Sequence, residues 1–162
     1  MIMLKTSERS PNLAEMKVSY RRSRGRRSDP LVTPPVLSGP VRCDEYLRTI
    51  WDKDTLELRE EFVILCLNAA HEVTGWVRLA TGGIDTALVD PRLVFGVALQ
   101  TAAAAIVVAH NHPSGSVFPS HEDRVMTRRL KEGSALLGIR FLDHIILGRA
   151  DAYSFAREGL VG

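Results

Sequence analysis

Two histidines one residue apart, His110 and His112, end an uninterrupted apolar run, and a serine and an acid, Ser120 and Asp123, follow a short Pro- and Ser-rich stretch. Imidazole nitrogens and a carboxylate oxygen are ligands that suit a divalent ion of the zinc type. Residues two apart on a strand share a face with Cα atoms roughly 6–7 Å apart, so both rings can converge on one ion while Asn111 points the other way. With Asp123 as third ligand a fourth position stays open to water, which is the arrangement of catalytic rather than structural zinc. The same letters carry a plainer reading. S-x-x-D at a helix start is a capping box, in which Ser120 and Asp123 satisfy free backbone amides. The joint occurrence of H-x-H and S-x-x-D favours the metal.

The elements around these residues must hold them together. "AAAAIVVAH" reads as a central strand buried on both faces, because it lacks polar alternation. Pro113 has no amide proton and ends that strand, leaving both imidazoles at its carboxyl end, the edge where open α/β sheets place their sites. Ser120 opens a helix that runs to about Leu137 on Val125, Leu130 and Leu137, with Gly138 as its stop. Asp90 and Pro91 start a preceding helix, "DPRLVFGVALQTA". "EFVILCLN" and "VTGWVRLAT" form a hairpin, "TGGID" is a turn or bulge around Gly82 and Gly83, and "VRCDEYLRTIWDKDTL" is an amphipathic helix. "IRFLDHIILG" and "AYSFA" supply further strands, giving an α/β domain with a mixed β-sheet flanked by helices.

Hydrophobic content of 45% and charged content of 25% exclude a wholly disordered, collagenous or membrane chain. The longest apolar run, Ala102 to Ala109, is too short to span a bilayer. No secretory signal is visible, and Cys43 and Cys66 stand outside any C-x-x-C pair, so a cytoplasmic location without membrane attachment is expected. Residues 1–40 carry eight Lys/Arg against three Asp/Glu and are rich in Ser, Pro and Gly, which predicts a disordered basic arm ahead of a folded domain at 41–162. Arg21, Arg22, Arg24, Arg26 and Arg27 in that arm could give weak, salt-sensitive nucleic-acid binding.

"HNHPSGSVFPSHED" resembles the JAMM motif of the JAB/MPN metalloprotease superfamily: H-x-H-P, six residues, then S-x-x-D. "REEFVILCLN", "TGGIDTALVDPRLVF", "AAAAIVVAHNHPSG", "PSHED" and "LLGIRFLDHIILG" are similar to the RadC branch throughout residues 59–160. The resemblance implies the three-layer, cytidine-deaminase-like JAB/MPN fold, a Zn2+ cofactor and hydrolysis of a peptide or isopeptide amide in a peptide or protein substrate. It makes His110, His112 and Asp123 the zinc ligands, and Ser120 the serine that holds the reacting water or stabilises the oxyanion. It makes Glu60, just before the first core strand, the catalytic carboxylate, with Glu61 as runner-up. Asp143 and His144 match a further RadC feature, and one of them is expected to hold a ligand imidazole or to form a buried structural pair. Full-length members resemble a helix-hairpin-helix DNA-binding region followed by this domain, and residues 1–40 do not match that region.

A second reading is a DNA-associated accessory protein, of a repair or mobile-element type, with a non-catalytic metal site. A nucleobase deaminase is disfavoured because its H-x-E and P-C-x-x-C elements are absent. His71 and His121 are expected on the surface with no role.

Overall fold

The structure is a computed structural model that describes residues 34–81 and 89–161. The arginines of the basic arm and the Gly82–Gly83 turn lie outside the described residues.

The apolar strands are the centre of the molecule because they have no polar face to show to water. Strand β1 (Glu61–Leu67) and strand β3 (Ala105–Asn111) are buried at every residue. β1 pairs antiparallel with β2 (Val73–Thr81) in the expected hairpin and with β3 on its other side. β3 pairs parallel with β4 (Arg140–Leu147), and β5 (Ala152–Ser154) closes the edge antiparallel to β4. Among the described residues these form one five-stranded mixed sheet, in the order β2-β1-β3-β4-β5.

Helices cover both faces. Helix α1 (Pro40–Ile50) packs Cys43 and Leu47 against Val63, Leu65, Val107 and Ile145 on one face. On the other face helix α2 (Pro91–Gln100) and helix α3 (His121–Leu137) bring Val94, Ala98 and Leu130 against Ile64, Ile106 and Val108. Each fully buried Val, Leu or Ile in these layers contributes roughly 1.5–3 kcal/mol. This is the α/β, three-layer architecture expected of a JAB/MPN chain. Among the described residues no helix is long and apolar enough to cross a membrane.

Local signals act as anticipated at α2 and α3. The Asp90 side chain accepts from the Arg92 amide with Pro91 in the first turn, and Gly138 ends α3 at φ 68. Helix α1 stops earlier than its apolar spacing predicts. Trp51 is extended and the Asp52 carboxylate accepts from the Asp54 amide, a local turn that outcompetes the next helical turn. The buried stripe of α3 is also different from the expected Val125, Leu130 and Leu137. It runs through Thr127, Leu130 and Ser134, while Leu137 is exposed, because part of what α3 covers is polar.

The folded domain reaches further upstream than residue 41. Leu37 lies in the core, its amide donates to the His71 carbonyl at 2.9 Å, and Val36 bridges to Glu72. His71 is accordingly half-buried rather than surface-exposed, whereas His121 is exposed as expected.

Candidate metal centre

β3 delivers His110 and Asn111 as its last two residues, and Pro113 prevents the ladder from continuing. His112 lies just past the strand end. Gly115, at φ 76, turns the chain so that its amide donates to the His112 carbonyl at 2.9 Å. The loop then rests on the turn after β4, where a Cβ on Gly148 would lie 2.7 Å from a Val117 methyl carbon and 3.2 Å from the Gly115 carbonyl oxygen.

The Ser120 hydroxyl accepts from the Asp123 amide at 3.1 Å, and the Ser120 amide donates to Asp123 Oδ2 at 2.7 Å. The capping box is therefore real. It does not compete with the metal reading, because it occupies Oδ2 and turns Oδ1 toward His110 Nε2, 3.0 Å away. Oδ2 also lies 3.4 Å from His112 Nε2, and the two Nε2 atoms are 3.0 Å apart. Three donor atoms from a strand end, a loop and a helix N-terminus thus meet at one point. An ion with tetrahedral bonds of about 2.0–2.1 Å requires ligand atoms about 3.3 Å apart, so these spacings fit zinc.

The donor chemistry fits as well. His112 Nδ1 sits 2.8 Å from the Ser116 carbonyl, so Nδ1 carries the proton and Nε2 presents a lone pair. In the metal-free chain burial acts to raise the Asp123 carboxyl, but hydrogen bonds from the protonated forms of His110 and His112, and from Ser120, outweigh it and hold the group well below the usual carboxylate range. The Asp123 hydrogen bond in turn raises His112, with the charge of Glu60 adding to the effect. These three side chains form a donor set that could hold a metal ion.

The two candidate glutamates separate clearly. Glu60 stands just before β1, near enough to His112 for its charge to help raise that ring. Glu61 is fully buried on the α1 side, with Arg59 Nε and Arg78 Nε each 2.9 Å from its carboxylate oxygens. The runner-up carboxylate is thereby committed to two guanidinium groups.

The RadC-like JAB domain family matches residues 37–160. This chain belongs to that family. A UPF0758 protein of Rubrobacter xylanophilus is 41% identical over 128 residues, covering 78% of this chain and 54% of the relative. One of Shewanella loihica is 38% identical over 149 residues, covering 91% of this chain and 64% of the relative. One of Trichlorobacter lovleyi is 43% identical over 103 residues, covering 64% and 45%. The chain thus spans about half the length of the curated relatives it matches.

In this RadC-like domain the residue between the two histidines has its own task. Asn111 is buried, with its side chain on the α1 side of the sheet. Its Oδ1 accepts from the Glu61 amide at 2.9 Å, and its Nδ2 donates to the carbonyls of Leu56 and Arg59 at 2.6 and 2.9 Å. Asn111 therefore ties the segment carrying Glu60 to the strand carrying His110. Sequence reasoning gave it only a direction. The available signal was a polar amide at the end of a fully buried strand, which must find partners.

The neighbours Asp143 and His144 part company across β4. Asp143 faces α1, and its carboxylate accepts from the Ser154 hydroxyl at 2.6 Å and the Ala156 amide at 2.9 Å. Burial raises its carboxyl, and the nearby Cys43 thiol is pushed up to about 12, chiefly by burial and secondarily by Asp143. His144 faces α3, is fully buried, and lies 2.9 Å from His110 Nδ1 through its Nε2. Burial holds it well below an ordinary imidazole. Of the two, His144 is the one in contact with a candidate ligand.

Proposed function

We propose that this RadC-like JAB domain is a zinc-dependent metallopeptidase-type hydrolase that cleaves a peptide or isopeptide amide. The observation that carries the reading is the convergence of His110 Nε2, His112 Nε2 and the Asp123 carboxylate at the carboxyl edge of the sheet, with the two Nε2 atoms 3.0 Å apart, Oδ1 3.0 Å from His110 Nε2 and Oδ2 3.4 Å from His112 Nε2. His110, His112 and Asp123 would hold the ion. When bound, zinc supplies a Lewis acid and a water acidic enough to ionise near neutral pH.

The remaining chemistry falls to the chain's own groups. Glu60 takes one proton from the attacking water and returns it to the departing nitrogen, and the second water proton ends on the amine as well, so one water and one amide become a carboxylate and an ammonium group. Ser120, exposed at the rim, keeps Asp123 turned toward His110 through its hydroxyl bond to Oδ2 at 2.7 Å. To serve as an oxyanion donor as well, that hydroxyl turns away from Oδ2 toward the substrate. Glu60→Gln tests the assignment. Zinc content stays at the wild-type level and turnover on a peptide library falls by about 10²–10⁴-fold. Unchanged turnover removes Glu60 from the mechanism.

The alternative role, a DNA-associated accessory protein, rests on the excess of Lys/Arg in residues 1–40, Arg21–Arg27 above all. Salt-sensitive DNA binding that disappears when residues 1–33 are deleted supports it. The buried free thiols Cys43 and Cys66 suit a reducing compartment, in keeping with a cytoplasmic location.

A further inference from the structure

We propose that Thr127 and His144 are positioning residues that fix His110 as its Nδ1–H tautomer, so that His110 Nε2 faces the metal site without a proton. The inference deepens the metal-site reading above and rests on it.

The order of protons follows from one group that has none to give. The Asp123 backbone carbonyl lies 2.7 Å from Thr127 Oγ1, one turn along α3, so the threonine hydroxyl donates there. That hydroxyl has a single proton. Its second contact, to His144 Nδ1 at 2.7 Å, must therefore be one in which Oγ1 accepts and Nδ1 donates. His144 has no exposed surface and lies against two phenyl rings, stacked on Phe155 at 4.9 Å and tilted to Phe62 at 6.0 Å. A second proton would leave an imidazolium there without water, so Nε2 is bare. His144 Nε2 then accepts from His110 Nδ1 across 2.9 Å. With its proton on Nδ1, the neutral His110 ring turns a lone pair on Nε2 toward Asp123 Oδ1 and His112 Nε2, both 3.0 Å away.

The chain of donors begins and ends on one residue. Asp123 anchors the relay with its backbone and meets the outcome of the relay with its side chain. His112 needs no such relay, because its Nδ1 reaches the Ser116 carbonyl directly. Reversing any one bond reverses all that follow. If Oγ1 could not accept, His144 would carry its proton on Nε2, His110 would be protonated on Nε2, and that proton would stand where an ion must bind. The polar members of the buried α3 stripe thus have a purpose in the case of Thr127, which leucine or valine could not serve.

The test uses the full chain with 15N-labelled histidine, metal-free, and pairs nitrogen chemical shifts with zinc titration by calorimetry. In the wild type, His110 Nδ1 and His144 Nδ1 are protonated and His144 Nε2 is bare. Thr127→Val keeps the side-chain shape but removes the acceptor. It moves the His110 proton to Nε2 and weakens zinc binding by about 10–100-fold, the usual cost of losing a partner behind a ligand. Thr127→Ser restores both readings. A wild-type His144 protonated on Nε2 overturns the proposal without any variant, as does a Thr127→Val protein with the wild-type tautomer and zinc affinity. If the wild type takes up no zinc, the hydrolase reading fails, while the metal-free tautomers still decide this one.

Discussion

At the carboxyl edge of β3 and β4 the two faces of the sheet carry polar clusters built in opposite ways. On the α1 side, Glu61 meets Arg59 and Arg78, Asn111 spends its amide on three backbone groups, and Asp143 takes the Ser154 hydroxyl and the Ala156 amide. Each acceptor there faces a donor. On the α3 side, two imidazole nitrogens and a carboxylate oxygen face one another. Only a proton or a metal ion reconciles three lone pairs at such distances. Neighbouring residues in the chain can therefore belong to unlike clusters, one that closes the structure and one whose donors could hold a cation. Glu60 and Glu61 divide in this way, as do His110 and Asn111, and His144 and Asp143.

Exchanging the roles of the two glutamates is the sharpest way to break the comparison. Glu60→Gln removes turnover by about 10²–10⁴-fold and leaves thermal stability unchanged. Glu61→Gln does the reverse, costing about 2 kcal/mol in urea unfolding, less than the roughly 3–5 kcal/mol of a fully buried pair because both guanidinium groups reach solvent. If Glu61→Gln abolishes turnover in a protein that stays folded, the assignment of the two carboxylates is inverted.

Asn111→Ala sharpens the same comparison from the strand between the ligands. Losing three hydrogen bonds, one buried and two partly buried, costs about 3 kcal/mol, read by urea unfolding. Zinc affinity stays close to wild type, because His110 and His112 keep their places, while turnover falls as the Glu60 segment loosens. Equal losses of zinc and turnover would mean that the two faces are not separable.

Much of this arrangement is legible in the chain itself. Asp90–Pro91, Ser120 and Gly138 mark helix ends through local backbone chemistry, and the H-x-H-P and S-x-x-D spacing marks the donor set. What could not be read depends on neighbours distant in sequence. Thr127 on a buried stripe looks like a weak core residue until β4 places His144 beneath it. Asn111 has partners 50 to 55 residues away, and nothing local announces them. The end of α1 is hidden in the sequence because apolar spacing continues past Ile50 while the Asp52 turn breaks the backbone.

A smaller effect distinguishes the clusters by pH. His112 is raised by its hydrogen bond to Asp123, so in the metal-free chain it contributes stability that is present below the ordinary imidazole value of about 6.5 and is lost as pH rises through the higher folded-state value. Zinc needs the unprotonated ring, so the stabilisation that zinc adds grows across the same window. Thermal melts with and without zinc are expected to diverge as pH rises. Parallel curves would contradict the placement of His112 among the ligands.

The most direct measurement is zinc titration of the metal-free full chain, followed by X-ray absorption of the loaded protein and repeated on His110→Ala and Asp123→Ala. The account predicts a single tightly held ion per chain, bound through two imidazoles and light-atom oxygen ligands, with binding lost in both variants. A wild-type chain that takes up no zinc, or variants that bind it as the wild type does, would contradict it.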